Sequence, residues 1–152
     1  MKVTDPIRRD HADFRDHVDH MRLAARELPR LSLEERDVLV GRVVAFCQGT
    51  LVPHAEAEEH VLYPQVAELL GAPEATAPMI EDHELIREYV ASLSATKRDD
   101  IELLQELLYG LHALVSAHLR KEEDLYLPLL DERAGPQVTR ALAAAAAVEH
   151  PQ

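Results

Sequence analysis

Cysteine is almost missing from this chain. Cys47 stands alone among 152 residues, so no intrachain disulfide can form, and a cytoplasmic location is expected. There is no tryptophan, glycine occurs only five times, and β-branched residues show little period-two alternation. These absences exclude a sheet-rich fold and point to an all-α protein. Positive charge is scarce as well: 16 Lys and Arg face 28 Asp and Glu, a net charge of −12. That balance argues against nucleic acid and against anionic membrane surfaces as partners. No run of about 18 apolar residues is present to span a bilayer. The N-terminal residues also lack the apolar stretch of a signal peptide. The length suits one domain with a real core.

What the chain does have is helical periodicity punctuated by proline. Asp5 and Pro6 open a first helix. Ile7, His11, Phe14, Val18, Met21, Ala25 and Leu28 then recur at steps of four and three, an apolar seam with a histidine in it. Pro29 ends it. Ser32 with Glu35 forms a capping box at the start of the second helix, whose seam runs Val40, Val44, Cys47, Leu51, His54, Glu58, Val61. Pro53 is expected to bend this helix beside His54, Pro64 to bend or restart it, and Gly71 to end it. Thr76 and Pro78 open a third helix with the seam Met79, His83, Ile86, Val90, Leu93. A polar link over 94–99 leads to a fourth helix starting near Asp99, with the seam Ile101, Leu104, Leu108, Leu111, Val115, His118, Glu122, Leu125, Leu129. Short connections make successive helices antiparallel, so residues 1–134 read as an up-down-up-down four-helix bundle. Residues 135–152 form an Ala-rich helix or tail, with Ala141 to Ala147 expected to pack weakly or fray.

The seams carry the chemistry. His54 is followed four positions later by Glu58, and His118 by Glu122, with Pro64 and Pro128 each ten positions after the histidine. Residues four apart share one helix face. Asp10-His11 also repeats as Asp82-His83, and Arg15 as Arg87, so the two helix pairs resemble two copies of one hairpin. In an antiparallel bundle the starts of helices one and three meet the finishes of two and four. His11, His54, Glu58, His83, His118 and Glu122 therefore converge. Buried carboxylates are costly without a counter-charge, and no Lys or Arg lies on the seams at that level. A shared cation accounts for all six residues at once, which makes them the candidate metal ligands. Mixed nitrogen and oxygen donors without thiolate suit iron, manganese or zinc, and paired iron in a bundle core is the best match.

The remaining histidines, His17, His20, His60, His112 and His150, fall off the seams and read as surface residues, although His60 follows Glu59 closely enough to back up a ligand. Cys47 reads as a small core hydrophobe. Tyr63 and Tyr126 are either hydrogen-bonding residues near the site or, as the stronger expectation, a cover over the bundle end with their hydroxyls in solvent.

Taken together, His11, His54-x-x-x-Glu58, His83 and His118-x-x-x-Glu122 resemble the hemerythrin family, specifically its HHE cation-binding branch. The Leu51-Val52-Pro53-His54 and Tyr63-Pro64 surroundings are similar too, and the resemblance covers roughly residues 5–131. It implies a four-helix bundle holding two non-haem iron ions in an oxo- or hydroxo-bridged di-iron centre. Glu58 and Glu122 would bridge, and the four seam histidines would be terminal ligands. Oxygen-carrying members have a His-x-x-x-His pair on the third helix; here Met79 stands where the second histidine would be, which counts against simple reversible O2 carriage. The expected function is to bind or sense O2, NO or peroxide in oxidative or nitrosative stress or oxygen handling. The alternatives are a di-iron enzyme acting on peroxide or O2, catalase-like or a small-molecule oxidase, and an iron storage or donation protein. Phe14, Leu51, Ile86 and Val115 beside the ligands are medium to large, so a diatomic ligand or peroxide is expected rather than an organic substrate.

Overall fold

The computed structural model describes residues 1–149, and every regular element among them is helical. Helix α1 spans Asp5–Glu27. Helix α2 runs unbroken over Leu33–Leu70, α3 over Ala77–Ala95, and α4 over 101–133. Helix α5, Pro136–Glu149, follows. His150, read from sequence as a surface residue, lies outside the described residues.

Local signals set these boundaries. The Ser32–Glu35 capping box forms in both directions, Ser32 N–H donating to Glu35 Oε2 at 2.7 Å and Glu35 N–H to Ser32 Oγ at 3.2 Å. Asp100, one residue beyond the expected start, caps α4 by accepting from Leu103 N–H. Gly71 ends α2 at φ 62°, a left-handed conformation that glycine adopts without steric cost. Packing α1 on α4, α4 on α3, α3 on α2 and α2 on α1 closes the antiparallel bundle. Gly110 on α4 leaves room for the Tyr89 ring of α3, which a Cβ there would displace.

Pro53 and Pro64 lie within the continuous helix α2, so Pro64 does not restart it. Each is preceded by one π turn, Cys47–Leu51 and Glu58–Leu62, and Pro128 in α4 is preceded by a third, Glu122–Tyr126. In each case the residue just before the proline (Val52, Tyr63 or Leu127) donates to the carbonyl five residues back. The wider turn relieves the clash a proline ring makes with the preceding turn. It also adds a residue to the turn and shifts the seam. After Glu122 the buried positions are Leu127 and Leu130, while Leu125, expected on the seam, is 62% exposed.

The interior forms two apolar clusters. The larger runs from Phe14 to Leu28 on α1 and includes Val40, Leu51, Ile86, Leu93, Leu104 and Leu119. The smaller joins Leu62, Tyr63, Val66, Met79, Leu127 and Leu130 to Val138 and Leu142. Helix α5 therefore does not hang free: it begins at Pro136, and Val138 and Leu142 seal the second cluster. Mean hydropathy over part of α2 is high enough for a bilayer span, unlike what a search for uninterrupted apolar runs suggests. Its Val40, Val44, Cys47 and Leu51 are instead committed to the bundle core.

Candidate metal centre

Between the two clusters lie the six expected side chains. His11, His54, Glu58, His83, His118 and Glu122 are all buried, Glu122 completely and Glu58 to 4% exposure. They sort into two poles. His11 and His54 bring their Nε2 atoms to 3.3 Å, and His83 and His118 theirs to 2.9 Å. Each glutamate reaches both poles. Glu58 Oε1 lies 2.9 Å from His54 Nε2 while its Oε2 lies 3.4 Å from His83 Nε2. Glu122 Oε1 lies 3.4 Å from His118 Nε2 while its Oε2 lies 3.3 Å from His11 Nε2. Glu58 and Glu122 open the two π turns, a form of helix that is frequent at functional sites.

Glu58 Oε1 and Glu122 Oε2 face imidazole nitrogens at 2.9 Å and 3.3 Å, yet neither contact has the geometry of a hydrogen bond. A buried native polar atom is almost always satisfied. Four imidazole nitrogens and two carboxylates pointing at one another, two oxygens of them unbonded, leave a demand that a cation meets and a hydrogen-bond network does not. Two groups satisfy the spacing for a shared ion: Glu58, His83, His118 and Glu122, and His11, His54 and Glu58.

The outer nitrogens are also controlled. Asp82 Oδ2 accepts from His118 Nδ1 at 3.0 Å, and Glu59 Oε1 from His83 Nδ1 at 2.8 Å. Glu123 Oε1 lies 3.4 Å from His11 Nδ1, and Asp10 Oδ2 lies 3.6 Å from His54 Nδ1. At His118 and His83 the carboxylate on Nδ1 fixes the tautomer that turns Nε2 inward and makes it a better donor to a metal, whereas His11 Nδ1 makes no hydrogen bond to Glu123. The pattern obeys the repeat: Asp10 and Asp82 serve a histidine within their own half, while Glu59 and Glu123 cross to the other half. Arg87 and Arg15 then hold Glu59 and Glu123, each at 2.9 Å, and Lys121 holds Asp82.

Charge follows from this arrangement. Burial works against charge on His54, but Glu58 and then Asp10 outweigh it and hold the imidazole well above its ordinary value. Burial likewise opposes charge on Glu58, yet His54 and the neighbouring imidazoles pull it well below the usual carboxylate range. Burial would lower His118, and Glu122 raises it. Glu59 and Asp82 are pulled down against their burial, Glu59 by His83 and Arg87, Asp82 by Lys121 and His118.

The sequence reading missed the role of Asp10, Glu59, Asp82 and Glu123, although the repeated Asp-His pairs and the matched Arg15 and Arg87 were its signal. For Tyr63 the hydrogen-bonding alternative holds, not the solvent-facing one. This side chain is 1% exposed, and its hydroxyl donates to Glu122 Oε1 at 2.5 Å. The π turn is the reason: it brings the fifth residue after Glu58 to the inner face, where the seam had placed the third. Burial, then the charges of Glu58 and Glu122, push this phenol far above its ordinary value. Tyr126 is half-buried and donates to the Ala75 carbonyl. His17, His20 and His60 are exposed, as expected, and His60 faces the Glu56 carbonyl instead of backing a ligand.

Beside the His11–His54 pole is a cavity of about 30 Å³ lined by Ile7, Asp10, His54, Glu58, Val61 and Leu142, among others. By volume it holds about two water molecules. The family described as the hemerythrin HHE cation binding domain matches residues 2–130. No curated protein and no solved structure matches the chain.

Proposed function

The chain belongs to the hemerythrin family of HHE cation-binding domains, a metal-binding class that its buried His and Glu cluster fits, and we propose that it is a non-haem di-iron protein that binds or senses O2, NO or peroxide. One observation carries this reading: each buried glutamate reaches two histidine pairs, with one oxygen left unbonded. That is the disposition of a carboxylate shared by two ions. In this reading His11 and His54 hold one ion, His83 and His118 the other, and Glu58 and Glu122 bridge them. Iron bound there supplies a redox-active centre with an affinity for small oxygen and nitrogen ligands. The chain's own residues orient the imidazoles through Asp10, Glu59, Asp82 and Glu123. They exclude bulk water with an apolar cluster on either side.

The cavity of about 30 Å³ on one side of His54 fits a diatomic ligand or peroxide, while a second hollow of about 380 Å³ over Phe14, Phe46 and Pro53 also reaches His54 and has the size an organic substrate needs. Turnover of peroxide at the same centre is the second reading, and it too needs only a small ligand. Iron donation is disfavoured by the burial of all six side chains, and a chelator that strips the iron within minutes would reinstate it.

The test is metal analysis with an optical spectrum of protein from iron-supplemented cells, before and after dithionite and then air. Two irons per chain, with bands that bleach and return, are expected; zinc or no metal would overturn the reading. Glu58→Ala and Glu122→Ala should each lose metal, because a shared ligand goes and its neighbours are left buried and unpaired. His17→Ala and His20→Ala should keep it. Metal at the parent level in either glutamate variant would refute the bridging assignment.

A further inference from the structure

The two poles are not chemically equal. The internal repeat pairs Glu58 with Glu122 and Pro64 with Pro128, and therefore Tyr63 with Leu127. Both residues are buried in the second apolar cluster, but only one carries a donor atom. The Tyr63 hydroxyl lies 3.2 Å from His83 Nε2, 3.4 Å from His118 Nε2 and 2.5 Å from Glu122 Oε1. A hydrogen bond to Glu122 alone does not require the oxygen to stand almost equally far from two imidazole nitrogens. Adjacent donors each ~2.1 Å from one ion lie roughly 3 Å apart, and the phenol oxygen keeps that kind of distance from both imidazole nitrogens. The ring is fixed there, stacked on His83 with centroids 5.5 Å apart and planes 26° apart. Met79, one turn before His83, is buried in the same cluster and leaves the imidazole corner on that side to another residue.

We propose that the phenol oxygen of Tyr63 is a protein ligand to the ion held by His83 and His118, so that this ion is closed by the chain while the ion at the His11–His54 pole, beside the cavity, takes the exogenous ligand. The inference rests on the di-iron reading above. On coordination the phenol gives up its proton to solvent, as anionic ligands do when they take a metal. No electron transfer is involved.

The full chain loaded with ferric iron should show a visible phenolate-to-iron charge-transfer band and phenolate modes in resonance Raman excited within it. Tyr63→Phe should abolish both while retaining iron. Tyr89→Phe, Tyr109→Phe and Tyr126→Phe should leave them in place. Ring-deuterated tyrosine in the parent chain should shift the modes, a result that does not depend on how well Tyr63→Phe folds. Two bound irons with no phenolate band would overturn the ligand assignment and leave the di-iron reading standing. A parent chain that binds no iron would overturn both. A band that survives Tyr63→Phe would assign it to another tyrosine and refute the proposal.

Discussion

Each of the four buried imidazoles turns one nitrogen inward and meets a carboxylate at the other. This arrangement gives Glu59 a testable weight. It is held ionised by His83 and Arg87, so Glu59→Gln removes a full charge while keeping the shape. Metal affinity should fall about 10–100-fold in competition against a chelator of known strength, and Glu123→Gln should have the smaller effect, because His11 Nδ1 makes no hydrogen bond to Glu123. An unchanged affinity for both would mean that the outer carboxylates only solvate the histidines. Cys47 provides a contrast. Its thiol is pushed up to about 12 by burial, so it stays protonated and enclosed at neutral pH. Iodoacetamide at pH 8 should label it in denaturant and leave the folded protein unmodified; rapid labelling of the native chain would show that this part of the core opens.

Among the elements, the proline-linked π turns do most to shape the centre. Pro64→Ala restores a backbone donor and lets the turn close as ordinary α-helix. The metal-free chain should gain up to ~3 kcal/mol in urea unfolding, while metal affinity falls because Tyr63 and the Glu58 register rotate away. Changes of the same sign in both measurements would count against the turn as a device that aims side chains. These turns also mark where the sequence stops being legible. Steps of three and four placed every seam residue from His11 to Leu28 on α1, from Met79 to Leu93 on α3, and from Leu104 to Glu122 on α4 in buried positions. The six polar residues were readable for that reason. Past Glu58 and Glu122 the added residue breaks the count, so Leu125 was expected inside and Tyr63 outside. Nothing in local periodicity announces a π turn, although a proline six residues after each glutamate is the trace it leaves. The packing of α5 was illegible for another reason: a run of alanines has no apolar stripe, and among the described residues Val138 and Leu142 fix its face.

Taken whole, the molecule encloses charge that its own hydrogen bonds do not satisfy, between two apolar clusters. Bound metal should therefore contribute visibly to stability. With free metal at 100 to 1,000 times the dissociation constant, its removal should lower the melting temperature by roughly 5–15 °C in calorimetry of chelator-treated against reloaded protein. An identical melting temperature would mean that the cluster is satisfied without metal. The crossed carboxylates have a further consequence, one of symmetry. Glu59 reaches from the first hairpin to His83 in the second, and Glu123 reaches back to His11. Such reciprocal exchange is the signature of a two-fold symmetric dimer, in which residue i meets j and j meets i. The chain has the pseudo-two-fold arrangement that two copies of one helical hairpin would make. At Tyr63 opposite Leu127 the two halves differ beside the centre, so the pseudo-two-fold axis relates the ligands but not everything that touches them.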